Sequence, residues 1–419
     1  MVPVIILFIL LILQKLYYKD WANPAVLMTL LWTAIMFVYN LGLLPLNEIS
    51  NITTHVIVIG VLLFNIGVFF TYQYKILLGG KELLLSYNED CYVLNYRLII
   101  ALGLLSILLF LPDAINSINL LLSGFRFTYI RANNTTSVIT NSFLLLIRNY
   151  IAMPYVIVIY PLSAWCLLSS GDKKYVKTIM TIAITLAILQ IFSGGGRASI
   201  VFFIVHFIVM ATLLKKRVSI PRYSKILIAV LLVFVLVVYY YVSLSRGIEN
   251  MSDSMLLYFV GCVPLLDTRI EMFKVSGTYS FGGVFIYGFL NLVFTLLGNI
   301  GIAEPAFMDS LKKAVFVEET LQIGTGYTIN AFVTCWYYFF IDGGFFALII
   351  ESFLYGAISC GVYKNAIRYS LDVRKIICYA IITNTILFSF IRFQFIQYHY
   401  LLSLLMIPFL IKRKVIFRE

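Results

Sequence analysis

Five arginines stand where an otherwise apolar chain breaks, and each keeps company that suits an anion. In SGGGRASIV (193–201), Arg197 directly follows Gly194, Gly195 and Gly196. Glycines permit positive φ and let backbone N–H groups approach a ligand, and a helix beginning at Ala198 offers its N-terminus. The guanidinium adds a planar fork of donors that fits phosphate. Arg126 and Arg131 alternate with Phe125, Phe127 and Tyr129 in SGFRFTYIRANN (123–134). Such a stretch reads either as a surface that stacks on sugars while binding phosphate or as an anchor at the membrane interface. Arg269 stands between Asp267 and Glu271 in PLLDTRIEMF (264–273), and Arg392 precedes His399 by seven residues in RFQFIQYHY (392–400).

Acids and one histidine supply the other half of a reaction. Asp342 lies in FFIDGGFFALII (339–350), where a buried carboxylate either caps the helix that follows or enters chemistry, the cap being the simpler role. Glu271, Asp342 and His399 are the candidates to accept a proton from a hydroxyl, with Arg197 and Arg269 meeting developing negative charge. Arg126, Tyr129, Arg131, Gly195, Gly196 and Arg392 are the candidates to hold substrate. No metal and no cofactor is expected. Cys91, Cys166, Cys262, Cys335, Cys360 and Cys378 have no CxxC spacing and read as buried inert thiols, a Cys262–Cys335 bridge being the less favoured alternative. The sequence 75–97 contains neither a phosphate-cradling Gly-Lys pattern nor a paired Asp motif.

The elements that must position these groups follow from composition. Of 419 residues, 62% are hydrophobic and 12% charged, and the mean hydropathy is +0.97, which excludes a soluble domain and indicates an all-α polytopic membrane protein. The net charge of +12 falls in short clusters beside apolar runs, KKRVSIPRYSK (215–225), GDKKYVK (171–177) and KRKVIFR (412–418). This is the positive-inside pattern of cytoplasmic loops, and no nucleic-acid partner is expected. Spans are expected near 2–14, 24–44, 53–74, 94–112, 149–169, 176–193, 198–214, 226–245, 343–363, 376–392 and 396–411, about 11 helices within a range of about 10–14. MVPVIILFILLIL has no basic n-region and no cleavage site, so it reads as a retained first span.

The chain reads as one integral membrane domain, 1–419, with a first outer loop at 113–148 and a large outer region at 246–342. The latter contains FGGVFIYGFLNLVFTLLGNIGI (281–302), apolar enough to be re-entrant or interfacial. Residues 376–411 would reach roughly 54 Å as one helix, so they must turn, and the polar RFQFIQYHY marks the turn. The arginines therefore gather on the outer face, against the positive-inside rule. Arg197, Arg269 and Arg392 are expected to share one cavity there, with Arg126 and Arg131 on its rim.

The order of these features resembles the Wzy family of O-antigen (oligosaccharide repeat-unit) polymerases. An outer-turn arginine in SGGGRASIV is followed by Arg269 and SFGGVF, then by YTINAFVTCWYYFFIDGGFFALIIESFLYGAI (327–358), similar to the family's aromatic stretch, Asp-x-Gly element and following helix. Position 343 is glycine where relatives often carry an aromatic. The resemblance covers roughly residues 90–411 in arrangement. It implies a metal-independent, membrane-embedded (GT-C-like) glycosyltransferase at the periplasmic face of a bacterial inner membrane. That enzyme would move a growing glycan from undecaprenyl pyrophosphate to the non-reducing end of an incoming lipid-linked unit. Partners would be the lipid-linked oligosaccharide, membrane lipid, and a chain-length regulator and flippase of the same pathway. Two alternatives are an O-antigen ligase that hands the glycan to lipid A core and, in another class, a lipid-linked oligosaccharide flippase. A flippase should carry its charges along a central cavity.

Overall fold

The computed structural model describes residues 1–74, 92–125, 137–169, 173–194, 198–214, 251–317, 319–329, 333–368 and 372–413. The described chain is mostly helical. In order run α1 (Val2–Tyr18), α2 (Pro24–Asn40), α3 (Asn51–Gln73), β1 (Tyr92–Leu94), α4 (Tyr96–Leu122), α5 (Ser142–Ile147), a π turn (Arg148–Ala152), α6 (Met153–Leu168), α7 (Lys173–Gly194) and α8 (Ala198–Leu214). There follow α9 (Met251–Val260), α10 (Cys262–Ser276), α11 (Tyr287–Asn299), α12 (Ala306–Val315), β2 (Leu321–Gly324), β3 (Tyr327–Ile329), α13 (Thr334–Arg368), α14 (Val373–Leu387), a 3-10 turn (Gln394–Ile396), α15 (Tyr398–Leu410) and β4 (Ile411–Arg413).

Five stretches, Asn51–Gln73, Tyr96–Leu122, Ser142–Leu168, Tyr175–Ser193 and Thr334–Arg368, are long and apolar enough to cross a membrane. Shorter apolar helices accompany them at Val2–Tyr18, Pro24–Asn40, Val201–Leu214 and Tyr398–Leu410. This is a helical, membrane-embedded protein. The span expected at 226–245 lies outside the described residues.

By its contacts the chain divides into two compact units, residues 1–84, 252–368 and 385–401 in the first and residues 85–251, 369–384 and 402–419 in the second. In the first, α3 and α13 form the main packing pair. A Cβ on Gly67 would stand 2.1 Å from the Phe353 carbonyl oxygen, and one on Gly356 would stand 2.0 Å from that of Phe64. Small residues let the two backbones touch, as in close membrane helix pairs. The two helices run parallel: Lys364 donates to the Thr71 and Tyr72 carbonyls (2.9 and 3.2 Å) left free at the end of α3. At the start of α3, Asp267 Oδ1 accepts from the Ser50 N–H (2.9 Å) and from the Ser50 and Thr53 hydroxyls (2.6 and 2.7 Å). A carboxylate at a helix N-terminus is favourably placed, and this one ties α10 to α3.

In the second unit α4 and α7 pack side by side, and the Tyr155 hydroxyl of α6 donates to the Ile99 carbonyl (2.6 Å). Of the stretch expected as the first outer loop, residues 113–122 continue α4 beyond Pro112, and α5 with the π turn is helical. An ion pair joins its two ends. Arg148 meets Asp113 at 2.6 Å, both almost fully buried, and Asp113 also accepts from the Ser137 hydroxyl (3.0 Å) and the Val138 N–H (2.8 Å). The guanidinium lies 5.1 Å from the Phe110 ring centroid. Two charges at the ends of the segment are thus paid for by each other, and Arg148 is committed to structure. Cys262 and Cys335 are buried and free, so the bridge between them is not formed.

Candidate functional site

The helix α13 is broken. Gly343 (φ 176°, ψ 34°) and Gly344 (φ 64°, ψ −144°) depart from helical geometry and separate a first half, 334–342, from a second, 345–368. Gly344 occupies a region that side chains with a Cβ avoid. A helix cut at this point leaves carbonyls without partners, and SFGGVF (280–285) supplies them. The Ser280 N–H donates to the Ile341 carbonyl (3.2 Å) and the Phe281 N–H to the Asp342 carbonyl (2.7 Å). The Asp342 side chain completes the clasp: Oδ1 accepts from the Val284 N–H (3.0 Å) and Oδ2 from the Phe285 N–H (2.7 Å).

Asp342 is 1% exposed, and both its oxygens face the 280–285 segment, not the first turn of the following helix, which corrects the capping expectation. Its other neighbour was missed from the sequence. Glu351, 5% exposed, lies beside Asp342, and its Oε2 is buried with no hydrogen-bond partner. An acid inside the apolar run ALIIESFLYG was the available signal, since an ionisable group in a membrane helix marks a site by default.

Rings from three distant stretches close around this break. Phe285 stacks on Phe393 (centroids 5.3 Å apart, planes 12°), Phe393 meets Phe339 at 5.0 Å and Tyr355 at 5.4 Å, and Phe339 reaches Phe285 at 5.8 Å. SFGGVF, the aromatic stretch before Asp342, and RFQFIQYHY therefore meet in one cluster. A Cβ on Gly288 would strike the Phe395 carbonyl oxygen at 2.0 Å, so α11 begins in direct backbone contact with the 394–396 turn.

Two of the expected arginines, Arg269 and Arg392, are among the described residues. Arg269 is 4% exposed; Nη2 donates to the Glu319 carbonyl (2.8 Å), Nη1 pairs with the Glu319 carboxylate (3.3 Å), and Nε is buried without a partner. The Glu319 side chain is 73% exposed, so water screens that pair and the carbonyl bond is the firmer tether. Arg392 is half-buried in the turn that precedes the 3-10 segment and forms no ion pair among the described residues.

The remaining candidates are less centrally placed. His399 stands in the first turn of α15, half-buried, 4.2 Å from the Tyr398 ring, with Nε2 buried and unpartnered. Because residues 388–397 form turns, the seven-residue spacing from Arg392 is not a helical one. Glu271 is exposed on α10 and paired with Lys274 at 2.6 Å. Arg126, Tyr129, Arg131, Gly195, Gly196 and Arg197 lie outside the described residues. Among the described residues no group of three or more His, Cys, Asp or Glu is arranged to hold a metal ion. No protein-family model, no curated protein and no solved structure matches this chain.

Proposed function

We propose that the chain is an oligosaccharide repeat-unit polymerase of the kind its motifs resemble, a metal-independent glycosyltransferase of a bacterial inner membrane with its site on the periplasmic face. The observation that supports the reading is the helix broken at Asp342, clasped by 280–285 and enclosed by Phe285, Phe339 and Phe393. In the reaction the bond between the glycan's anomeric carbon and the pyrophosphate oxygen breaks, a bond from that carbon to the acceptor hydroxyl oxygen forms, and the hydroxyl proton passes to a base. Undecaprenyl pyrophosphate leaves with the electron pair. Arginines meet its charge: one pair at 4 Å is worth about 4 kcal/mol at an effective dielectric of 20. Arg392, uncommitted to any carboxylate, is the described residue freest to do so. Arg197 is assigned the same role from its glycine turn. His399 and Glu271 remain the candidates for the base, while Asp342, held by two backbone donors, shapes the site.

The test is to supply purified protein with lipid-linked repeat units and look for a ladder of longer glycans in the absence of lipid A core. A ladder that Arg197→Ala abolishes, and Arg197→Lys restores poorly for want of the fork, is the expected result. Product that appears only when lipid A core is added indicates the ligase.

A specific observation favours one other reading. A broken membrane helix with a buried carboxyl pair, Asp342 and Glu351, is a feature of transporters. Vesicles containing the protein and a fluorescent lipid-linked oligosaccharide decide this: movement between leaflets without chain growth identifies a flippase.

A further inference from the structure

Behind the clasp on Asp342 lies a cavity of about 460 Å³ between the 278–283 segment, α11 and α12, within the range of roughly 300–1,000 Å³ common to small-molecule sites. We infer that it binds an uncharged sugar ring. Its lining divides by chemistry. The segment contributes Thr278, Tyr279, Ser280 and Phe281 to the lining, and α12 contributes Phe307 and Ser310. A pyranose offers the same division, an edge of hydroxyls that pair with such groups and a C–H face that packs on aromatic rings. No charged side chain is among the residues lining the cavity, so a phosphate or an acidic sugar would lie there uncompensated. A polyprenyl chain would leave the hydroxyls without partners.

The cavity wall is built, not incidental. Phe281 has φ 49° and is 88% exposed, a left-handed backbone that sets the residue at the open mouth of the cavity, which costs free energy and persists only where the surroundings enforce it. Asp342 enforces it: the Phe281 N–H is held by the Asp342 carbonyl, and the Val284 and Phe285 N–H groups by its carboxylate. Gly283 leaves no room for a side chain, since a Cβ would stand 2.8 Å from Leu311. The broken helix therefore sets the shape of the cavity. As the seat of an acceptor sugar the site rests on the polymerase reading; as a sugar site it does not.

The full-length protein in detergent, applied to an array of neutral and anionic oligosaccharides, tests the inference. Binding confined to neutral members is expected, weakened by about tenfold or more in Phe281→Ala and in Ser310→Trp, which fills the cavity, and retained in Gly361→Ala, where nothing lies within 4 Å of the added atom. Thermal melting of each variant identifies any that fails to fold; Ser280→Ala, a milder change, then takes its place, with a smaller loss expected. No binding to any neutral glycan, binding only to anionic ones, displacement by undecaprenyl phosphate alone, or unchanged binding by folded Phe281→Ala and Ser310→Trp overturns it. Neutral-glycan binding without a ladder from lipid-linked units defeats the polymerase reading alone, and a ladder without glycan binding defeats this one alone.

Discussion

Asp342 and Arg392 differ in how far the fold has already spent them, and that difference is measurable. Asp342→Asn keeps one acceptor oxygen and turns an amide N–H₂ toward a backbone donor, either Val284 or Phe285. An unmatched buried donor costs about 1–3 kcal/mol, so thermal unfolding in detergent should show a clear loss of stability together with loss of product. If Asp342 were the base, the same variant would lose product and melt like wild type. Arg392→Ala should behave in the opposite way, with a melting temperature close to wild type because no ion pair is broken, but little or no product. Arg269→Ala should lower both, since its guanidinium is buried and holds the Glu319 carbonyl. The three variants, compared by melting and by ladder formation, separate positioning from substrate contact.

At the scale of elements, the α3–α13 contact is the one most exposed to a single change. Gly356→Leu drives a side chain into the Phe64 backbone, and Gly67→Val drives one into Phe353. Overpacking of a tight interface typically costs about 1–3 kcal/mol, more where backbone is struck, so folded yield by size-exclusion chromatography should fall sharply. Gly361→Ala, on the same helix with nothing within 4 Å of the added atom, should be neutral. At the break itself, Gly344→Ala should lower melting temperature and product together, because φ 64° with ψ −144° is a glycine conformation. The clasp by 280–285 would have to shift with it.

For the whole molecule, orientation is the testable quantity. From the basic clusters, 215–225 are expected on the cytoplasmic side and the 278–283 segment outside. On a cysteine-free background, Ser280→Cys should react with an impermeant thiol reagent applied outside, and Ile220→Cys should react only after the membrane is opened. Labelling of position 220 from outside would invert the assignment of every arginine discussed above. The native cysteines must first be replaced, because Cys378, unlike the buried Cys166, Cys262, Cys335 and Cys360, is partly exposed.

The helical, membrane-embedded class was legible in the chain because long apolar runs declare themselves locally, and most expected spans begin or end within a few residues of the described helices. The resemblance also picked out SFGGVF and Asp342 as separate motifs, and the polarity of RFQFIQYHY marked a turn. Their meeting was not legible. Which backbone N–H groups satisfy the carbonyls freed at Gly343–Gly344 depends on chain segments some 60 residues apart, and which arginine is spent depends on whether a partner such as Asp113 or Glu319 arrives in space. Glu351 was passed over because a lone acid in an apolar run acquires meaning only from what it faces. Sequence alone determined the solvent and the periodic elements, since both follow from side-chain hydropathy along the chain. Tertiary structure alone decided which charges are neutralised, because neutralisation in a low-dielectric interior is a matter of distance between groups that sequence does not order.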